Sequence, residues 1–319
     1  MNQLVKKISV VIPCYNEALG IYDFIDKLAL IIDNLQSYLL EVVFVDDGSA
    51  DNTFEILKKE SAKYHWINVL SLTRNFGKEA ALTAGLDFAT GDAIVFMDAD
   101  LQHPPALIQE FVLCWERGEH VVVGRRISRD TDSWAYKLLA QSFYALNNRI
   151  SDVKLPLNVG DFRLIDKKVA DQLRQLKESR RFMKGLFAWV GYQPRYVDYI
   201  VADRVHGRSS FNKWRSWNFA LEGITSFSTA PLRVWSYVGV IVLFFGLLYS
   251  LIIIVDAFFN GVKTPGYVTL LTAMVIFGGV QLIGIGVLGE YIGRIYMEVK
   301  NRPSYLIGKV VKSNQEKIK

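Results

Sequence analysis

Over its first 123 residues the chain alternates between two hydrophobic periods. Short apolar runs at residues 8–12, 42–45, 67–72, 93–97 and 120–123 have the length of buried parallel strands. Between them apolar positions recur at helical spacing. Ile21, Phe24, Ile25, Leu28 and Ile32 share one face of a helix expected over 18–35. Further helices are expected to about Tyr64 behind an Asp51-Asn52-Thr53 cap, over 78–89 and over 105–117. Strand-then-helix repetition predicts parallel strands joined by right-handed crossovers, a doubly wound α/β sheet. Polar clusters at 13–17, 46–49 and 98–105 each follow a strand. All three should therefore share one rim, the carboxyl edge where open α/β sheets bind ligands.

Past Gly124 the pattern loosens into a basic loop containing Arg125, Arg126 and Arg129. A helix over about 134–150 has few charges and suits either a lipid or partner surface or an ordinary core. Residues 160–165 and 196–201 read as further strands, and 211–227 mixes Trp214, Trp217 and Phe219 with Lys213 and Arg215 as interfacial helices do. Residues 234–255 and 268–289 carry no charge at all, and each is long enough to cross about 30 Å of hydrocarbon as a helix. The linker between them holds one cation, Lys263. Lys213, Arg215, Arg233, Arg294, Lys300, Arg302, Lys309 and Lys312 flank the outer ends, which predicts a cytoplasmic α/β domain with both termini on that side. The expected organisation is an α/β domain over 1–210, an amphipathic juxtamembrane helix over 211–233, spans at 234–257 and 266–290, and a basic cytoplasmic tail over 291–319. Gly284, Gly286 and Gly289 spell G-x-G-x-x-G inside the second span. No strand precedes them, so they read as helix-contact positions rather than a nucleotide loop. Glu290 should pair with Arg294.

Composition agrees with that division. Of 319 residues 51% are hydrophobic, high for a water-soluble chain, and the formal charge of +5 gathers near the apolar third, pointing to an anionic membrane surface and not to nucleic acid. Cys14 and Cys114 are too few for a disulfide framework or zinc site and should be packing residues in a reducing compartment. Residues 1–7 are polar, and no signal peptide is expected. Asp98 and Asp100, where a buried strand turns into a loop, can converge on a hard cation, Mg²⁺ or Mn²⁺, completed by substrate phosphates. The same residues also suit a turn that merely ends the strand.

Three segments in this order carry a resemblance: Val11-Ile12-Pro13-Cys14-Tyr15-Asn16-Glu17, Val45-Asp46-Asp47-Gly48-Ser49 and Asp98-Ala99-Asp100-Leu101-Gln102-His103-Pro104-Pro105. Together with Gly160-Asp161-Phe162-Arg163, residues 204–210 and the two apolar runs, they resemble the family-2 glycosyltransferases of the GT-A fold. Within that family the chain is most similar to polyprenyl-phosphate glycosyltransferases, a group that includes dolichyl-phosphate mannose synthases and the bactoprenol glucosyltransferases of O-antigen modification. The resemblance implies that Pro13, Tyr15, Asn16, Glu17, Asp46 and Asp47 line the nucleotide pocket and that Asp98 sits by the ribose and diphosphate. It makes Asp100 the main metal ligand, with Gln102 second, and Asp161 a catalytic-site residue. Arg125, Arg126, Lys137 and Arg204 become candidates for the acceptor phosphate, with the doubled arginine leaving open which of the first two makes contact. His103 and His206 are expected as structural donors.

An ionised lipid phosphate needs positive charge to hold it more than it needs a general base. The implied reaction is inverting, metal-dependent transfer from a UDP-sugar, glucose favoured, to undecaprenyl phosphate at the inner membrane. Mannose, N-acetylglucosamine or formylated aminoarabinose are the alternatives. A homo-oligomer, by resemblance a tetramer, is also expected. A processive polysaccharide synthase would carry Gln-x-x-Arg-Trp and more helices, and a non-catalytic membrane scaffold would have no need of the acidic and arginine elements kept here.

Overall fold

The β-branched runs fold as strands whose side chains are covered on both faces. The computed structural model describes residues 5–127, 159–178, 181–200, 230–260 and 266–313. Strands β1 (Lys7–Cys14), β2 (Leu39–Asp46), β3 (Ile67–Leu72) and β4 (Ala93–Phe96) are parallel. The helices between and after them are α1 (Ile21–Asp33), α2 (Thr53–Lys63), α3 (Lys78–Phe88) and α4 (Leu107–Glu116). Then come β5 (Val121–Arg126), β6 (Val159–Asp166), α5 (Lys167–Gln175), α6 (Met183–Trp189) and β7 (Arg195–Tyr199). Helices α7 (Ala230–Asn260) and α8 (Tyr267–Val299) and strand β8 (Ile307–Val311) complete the series. The strands form one sheet ordered β7-β5-β6-β4-β1-β2-β3-β8.

Alternation along each strand assigns the two layers. Ile8, Val10, Ile12, Val42 and Phe44 pack with Phe24 of α1, Leu57 of α2 and Phe111 of α4. Val11, Val43, Val45 and Phe96 pack on the other face with Ala81 of α3, Leu173 of α5 and Leu186 of α6. Strand order reverses between β1 and β4, placing Pro13 and Asp98 at the switch point where such sheets open a crevice. Cys14 and Cys114 are buried free thiols, as packing residues should be.

Arg125 and Arg126, expected in a basic loop, instead end strand β5 and pair with β7, and two larger features also depart from the sequence expectation. Residues 160–165 do form a strand, but β6 runs antiparallel and inserts between β4 and β5. Its first residues therefore reach the same rim as the last residues of β1, β2 and β4. The second departure concerns 291–319, expected as a tail. Helix α8 continues to Val299, and β8 pairs antiparallel with β3 at the sheet edge. A five-residue strand containing glycine and lysine has little local signal, and its partner Val69 lies far back along the chain from Val311.

Helices α7 and α8 are 31 and 33 residues long, and many of their large apolar side chains point outward, Phe244, Phe258, Leu282 and Ile285 among them. They approach closely where a Cβ on Gly284 would stand 3.1 Å from Trp235 Nε1. Glu290 accepts from Arg294 at 3.0 Å, one helical turn on. The G-x-G-x-x-G glycines lie within α8 and follow no strand. The described side chains cover only part of each apolar run, and over that part no helix is long and apolar enough to cross a membrane. Expected helices over 134–150 and 211–227, along with Lys137, Arg204 and His206, lie outside the described residues.

Candidate active site

Three strand ends and one helix start meet at the rim. Lys78, first residue of α3, places Nζ 2.6 Å from Asp98 Oδ1 and 2.7 Å from Asp161 Oδ2. Asp98 follows β4, and Asp161 stands near the start of β6, so the antiparallel insertion is what unites the two carboxylates. Burial alone would push the Asp98 carboxyl up, but the Lys78 ammonium, with His103 beside it, holds it well below the usual carboxylate range. Asp161 is likewise raised by burial and lowered further by Lys78 and Lys184, ending below its ordinary value. Burial depresses the Lys78 ammonium, and the two aspartates more than restore its charge. Its side chain keeps 43% exposure, so solvent screens this bridge and a ligand can reach it.

Around that triad the backbone is bent to purpose. Leu101 adopts φ 58°, a left-handed value rare for a branched residue, which turns the chain so that Asp100 Oδ1 accepts from the Gln102 amide at 3.1 Å. Asp161 Oδ1 is buried and has no hydrogen-bond partner among the described residues. Arg163 donates to the Gly160 carbonyl at 2.7 Å and stacks its guanidinium 3.9 Å over Phe187, bracing the first residues of β6 around Asp161. Burial lowers the Arg163 guanidinium to about 10. Glu79 accepts from the Met183 amide at 3.0 Å, and burial followed by the Asp161 charge raises its carboxyl to about 7.

The β1 and β2 loops are stitched together next to this cluster. The Asn16 amide donates to Ser49 Oγ and its side-chain oxygen accepts from Ala50, both at 2.9 Å, while Glu17 donates to Thr53 Oγ1 at 2.9 Å. Asn16 itself has φ 55°. Tyr15 is exposed and Pro13 half-buried at the strand end. Asp46 accepts from the Ser49 amide at 3.0 Å and from Ser71 Oγ at 2.8 Å. Asp47, expected on the nucleotide, has one oxygen on the Phe76 amide at 2.7 Å and the other on Gly77 at 2.9 Å. It thereby holds the start of α3, and so Lys78, in place, its carboxyl raised by burial despite those donors. Between them Gly48, at φ 66°, passes so close that a Cβ would stand 2.4 Å from the Arg74 carbonyl carbon. A cavity of about 420 Å³ opens beside Asp46, lined also by Ser49, Phe54, Ser71, Thr73 and Lys309.

On the other flank the two arginines part company. Arg125 forms a bidentate pair with Asp198 at 2.6 and 2.8 Å on the surface. Arg126 donates to the Tyr199 hydroxyl at 3.2 Å, and that hydroxyl meets His103 Nδ1 at 2.7 Å. His103 Nε2 lies 3.6 Å from Asp98 Oδ2, too long for a hydrogen bond but close enough to tie the chain Arg126–Tyr199–His103 to the acidic cluster. Sequence reasoning missed Lys78, Tyr199 and Glu79. Lys78 had a usable signal: Arg74-Asn75-Phe76-Gly77 is a fourth polar cluster after a strand, and the rim argument applied to it as well.

Among the described residues no three His, Cys, Asp or Glu side chains converge as a preformed metal site. A Mg²⁺ or Mn²⁺ site that relies on substrate phosphates needs fewer protein ligands. The donors here are all oxygen, and the unpartnered Asp161 Oδ1 is a buried acceptor beside them, so the residues fit such an ion. Such a rim, at the switch point of a doubly wound sheet, suits an enzyme that binds a phosphorylated ligand. Residues 9–174 match the model of Glycosyl transferase family 2, and the chain is a member of that family and a glycosyltransferase. Residues 230–295 match the GtrB C-terminal hairpin. The chain is 48% identical over 308 residues to the SfII prophage-derived bactoprenol glucosyl transferase of Shigella flexneri, covering 97% of this chain and 99% of that one. It is 45% identical over 306 residues to the prophage bactoprenol glucosyl transferase homolog of Escherichia coli (strain K12), covering 96% and 100%. A putative glycosyltransferase of Bacillus subtilis, CsbB, is 39% identical over 300 residues, covering 94% and 91%.

Proposed function

We propose that this enzyme transfers a sugar, glucose in the favoured reading, from a UDP-sugar to undecaprenyl phosphate at the cytoplasmic face of a bacterial inner membrane. The observation that carries the proposal is 48% identity along nearly the whole of both chains to a bactoprenol glucosyl transferase, hairpin included. A lipid phosphate oxygen attacks the anomeric carbon as the bond to UDP breaks, giving polyprenyl-phosphate-sugar with inverted configuration. No proton need be removed from an acceptor that is already ionised. Asp98 and Lys78 orient the donor diphosphate, Asp161 orients Lys78 and the sugar, and Arg126, free of the pairing that occupies Arg125, holds the acceptor phosphate. Asp100 and Gln102, with Asp161 alongside, would hold a divalent cation. When bound, such an ion neutralises charge growing on the departing diphosphate. The absence of charge over 234–255 and 268–289 supports two spans that keep the rim near the lipid headgroups.

The test is a donor screen with the purified chain, undecaprenyl phosphate and a panel of UDP- and GDP-sugars, read by mass spectrometry of the lipid. A hexosyl-phosphoryl lipid formed from UDP-glucose in the presence of Mg²⁺ or Mn²⁺ is expected, β at the anomeric carbon by NMR. Asp100→Ala should lower turnover by about a thousandfold or more, the scale of losing a main electrostatic contributor. Near-normal activity in that variant would remove Asp100 from the metal, and an α product would remove inversion.

A further inference from the structure

The returning strand β8 carries a lysine into the nucleotide end of the rim. Antiparallel register sets Lys309 opposite Ser71, so both side chains leave the same face of the sheet. Ser71 is the residue whose hydroxyl holds Asp46. Register slips between Ser71 and Leu72, and Gly308 sits in that slip, where a Cβ would make ordinary contact with the Ser71 carbonyl oxygen at 3.4 Å. Bulges of this kind re-aim side chains beside active sites. The strand is anchored along its length. Tyr305 donates to Asp87 at 2.8 Å, the Thr73 amide to the Leu306 carbonyl at 3.0 Å, and the Ser313 amide to Asn68 Oδ1 at 3.0 Å.

Among the described residues Lys309 is the one cationic side chain lining the cavity beside Asp46, and its Nζ lies 4.7 Å over the Phe54 ring. The cavity's volume of about 420 Å³ falls in the small-molecule range. Its other charged walls, Asp46, Asp51 and Glu55, are acidic and would repel a diphosphate. A nucleoside suits them better: a planar ring for Phe54, an imide N–H for a carboxylate, and ring carbonyl and ribose oxygens for an ammonium.

We infer that β8 is a functional wall of the donor site and that Lys309 binds the nucleoside half of the sugar nucleotide. The inference rests on the sugar-nucleotide reading above and extends it to a segment outside the family-2 match. A lysine on an edge strand also guards against unwanted pairing, a role that predicts no effect on nucleotides.

Direct binding separates these roles without requiring transfer. Calorimetry on the full chain, with UDP plus Mg²⁺ and separately with uridine, should show both ligands weakened about tenfold in Lys309→Ala, an effect of one lost polar contact. Lys309→Arg should restore binding to within about threefold, and Lys312→Ala, a neighbouring exposed lysine, should change nothing. Melting temperatures of all three variants should match the parent. Loss for UDP alone would move Lys309 to the phosphates and overturn the nucleoside assignment. Unchanged binding of both ligands would overturn it too, as would equal losses in the alanine and arginine variants accompanied by lower melting. If UDP and uridine bind as expected but no sugar nucleotide supports transfer, the enzymatic reading fails while this one stands.

Discussion

Gly85 and Gly286 lack the same side chain in opposite surroundings. A Cβ on Gly85, in α3, would stand 2.2 Å from Val11 Cγ1, because α3 lies directly on β1. On Gly286, in α8, it would meet nothing within 4 Å among the described residues. The sheet domain turns its apolar side chains inward and fills the space. The hairpin turns them outward, with Phe244, Phe258 and Ile285 all more than half exposed. Burial away from water drives the first arrangement, and the second leaves apolar area for a neighbouring surface, which is lipid in the proposed function. Charge follows the same division: the domain gathers the partly buried Asp98 and Asp161 on Lys78, while residues 234–255 hold no charge.

The largest effect should come from Gly85→Val, which forces atoms into a filled contact and should cost at least about 3 kcal/mol, the top of the overpacking range, seen as a lower melting temperature of the domain. Glu79→Gln should come next and depend on pH. A carboxyl raised to about 7 contributes stability that is fully present below its unfolded value and is lost as pH rises through 7. The glutamine variant should therefore match the parent at pH 4.5 and exceed it by about 1–3 kcal/mol at pH 8. Equal stabilities at pH 8 would mean that Glu79 is already relaxed by neighbouring groups. Arg125→Ala removes an exposed pair and should cost less than about 1 kcal/mol, with acceptor use unchanged. A rise in acceptor KM there would return the phosphate contact to Arg125. Smallest of all, Gly286→Leu should leave domain melting unaltered. If this face mediates the expected self-association, the variant should reduce the oligomer mass in detergent.

Legibility in the sequence tracked distance along the chain. Strands β1 to β4 and their helices were visible because each run repeats one period over consecutive residues. The acidic pair Asp98 and Asp100 was visible because it ends such a run. Asp161 was named only through family resemblance, and its meeting with Lys78 depends on β6 entering the sheet backwards, which no local period records. Asp47 illustrates the opposite case: its place at the rim was foreseen, but its two hydrogen bonds to the start of α3 make it a support for Lys78.

The order of residues by itself determined the alternating α/β domain, the uncharged C-terminal segments and the family, since all three reside in near-neighbour periodicity and short motifs. Only the tertiary structure decided that Lys78 bridges Asp98 and Asp161, that Arg126 rather than Arg125 joins the Tyr199–His103 chain, and that β8 returns to the edge of the sheet. Those outcomes depend on pairings between residues far apart in sequence. Strand direction and register set such pairings, and the hydrophobic pattern of a single segment does not encode them.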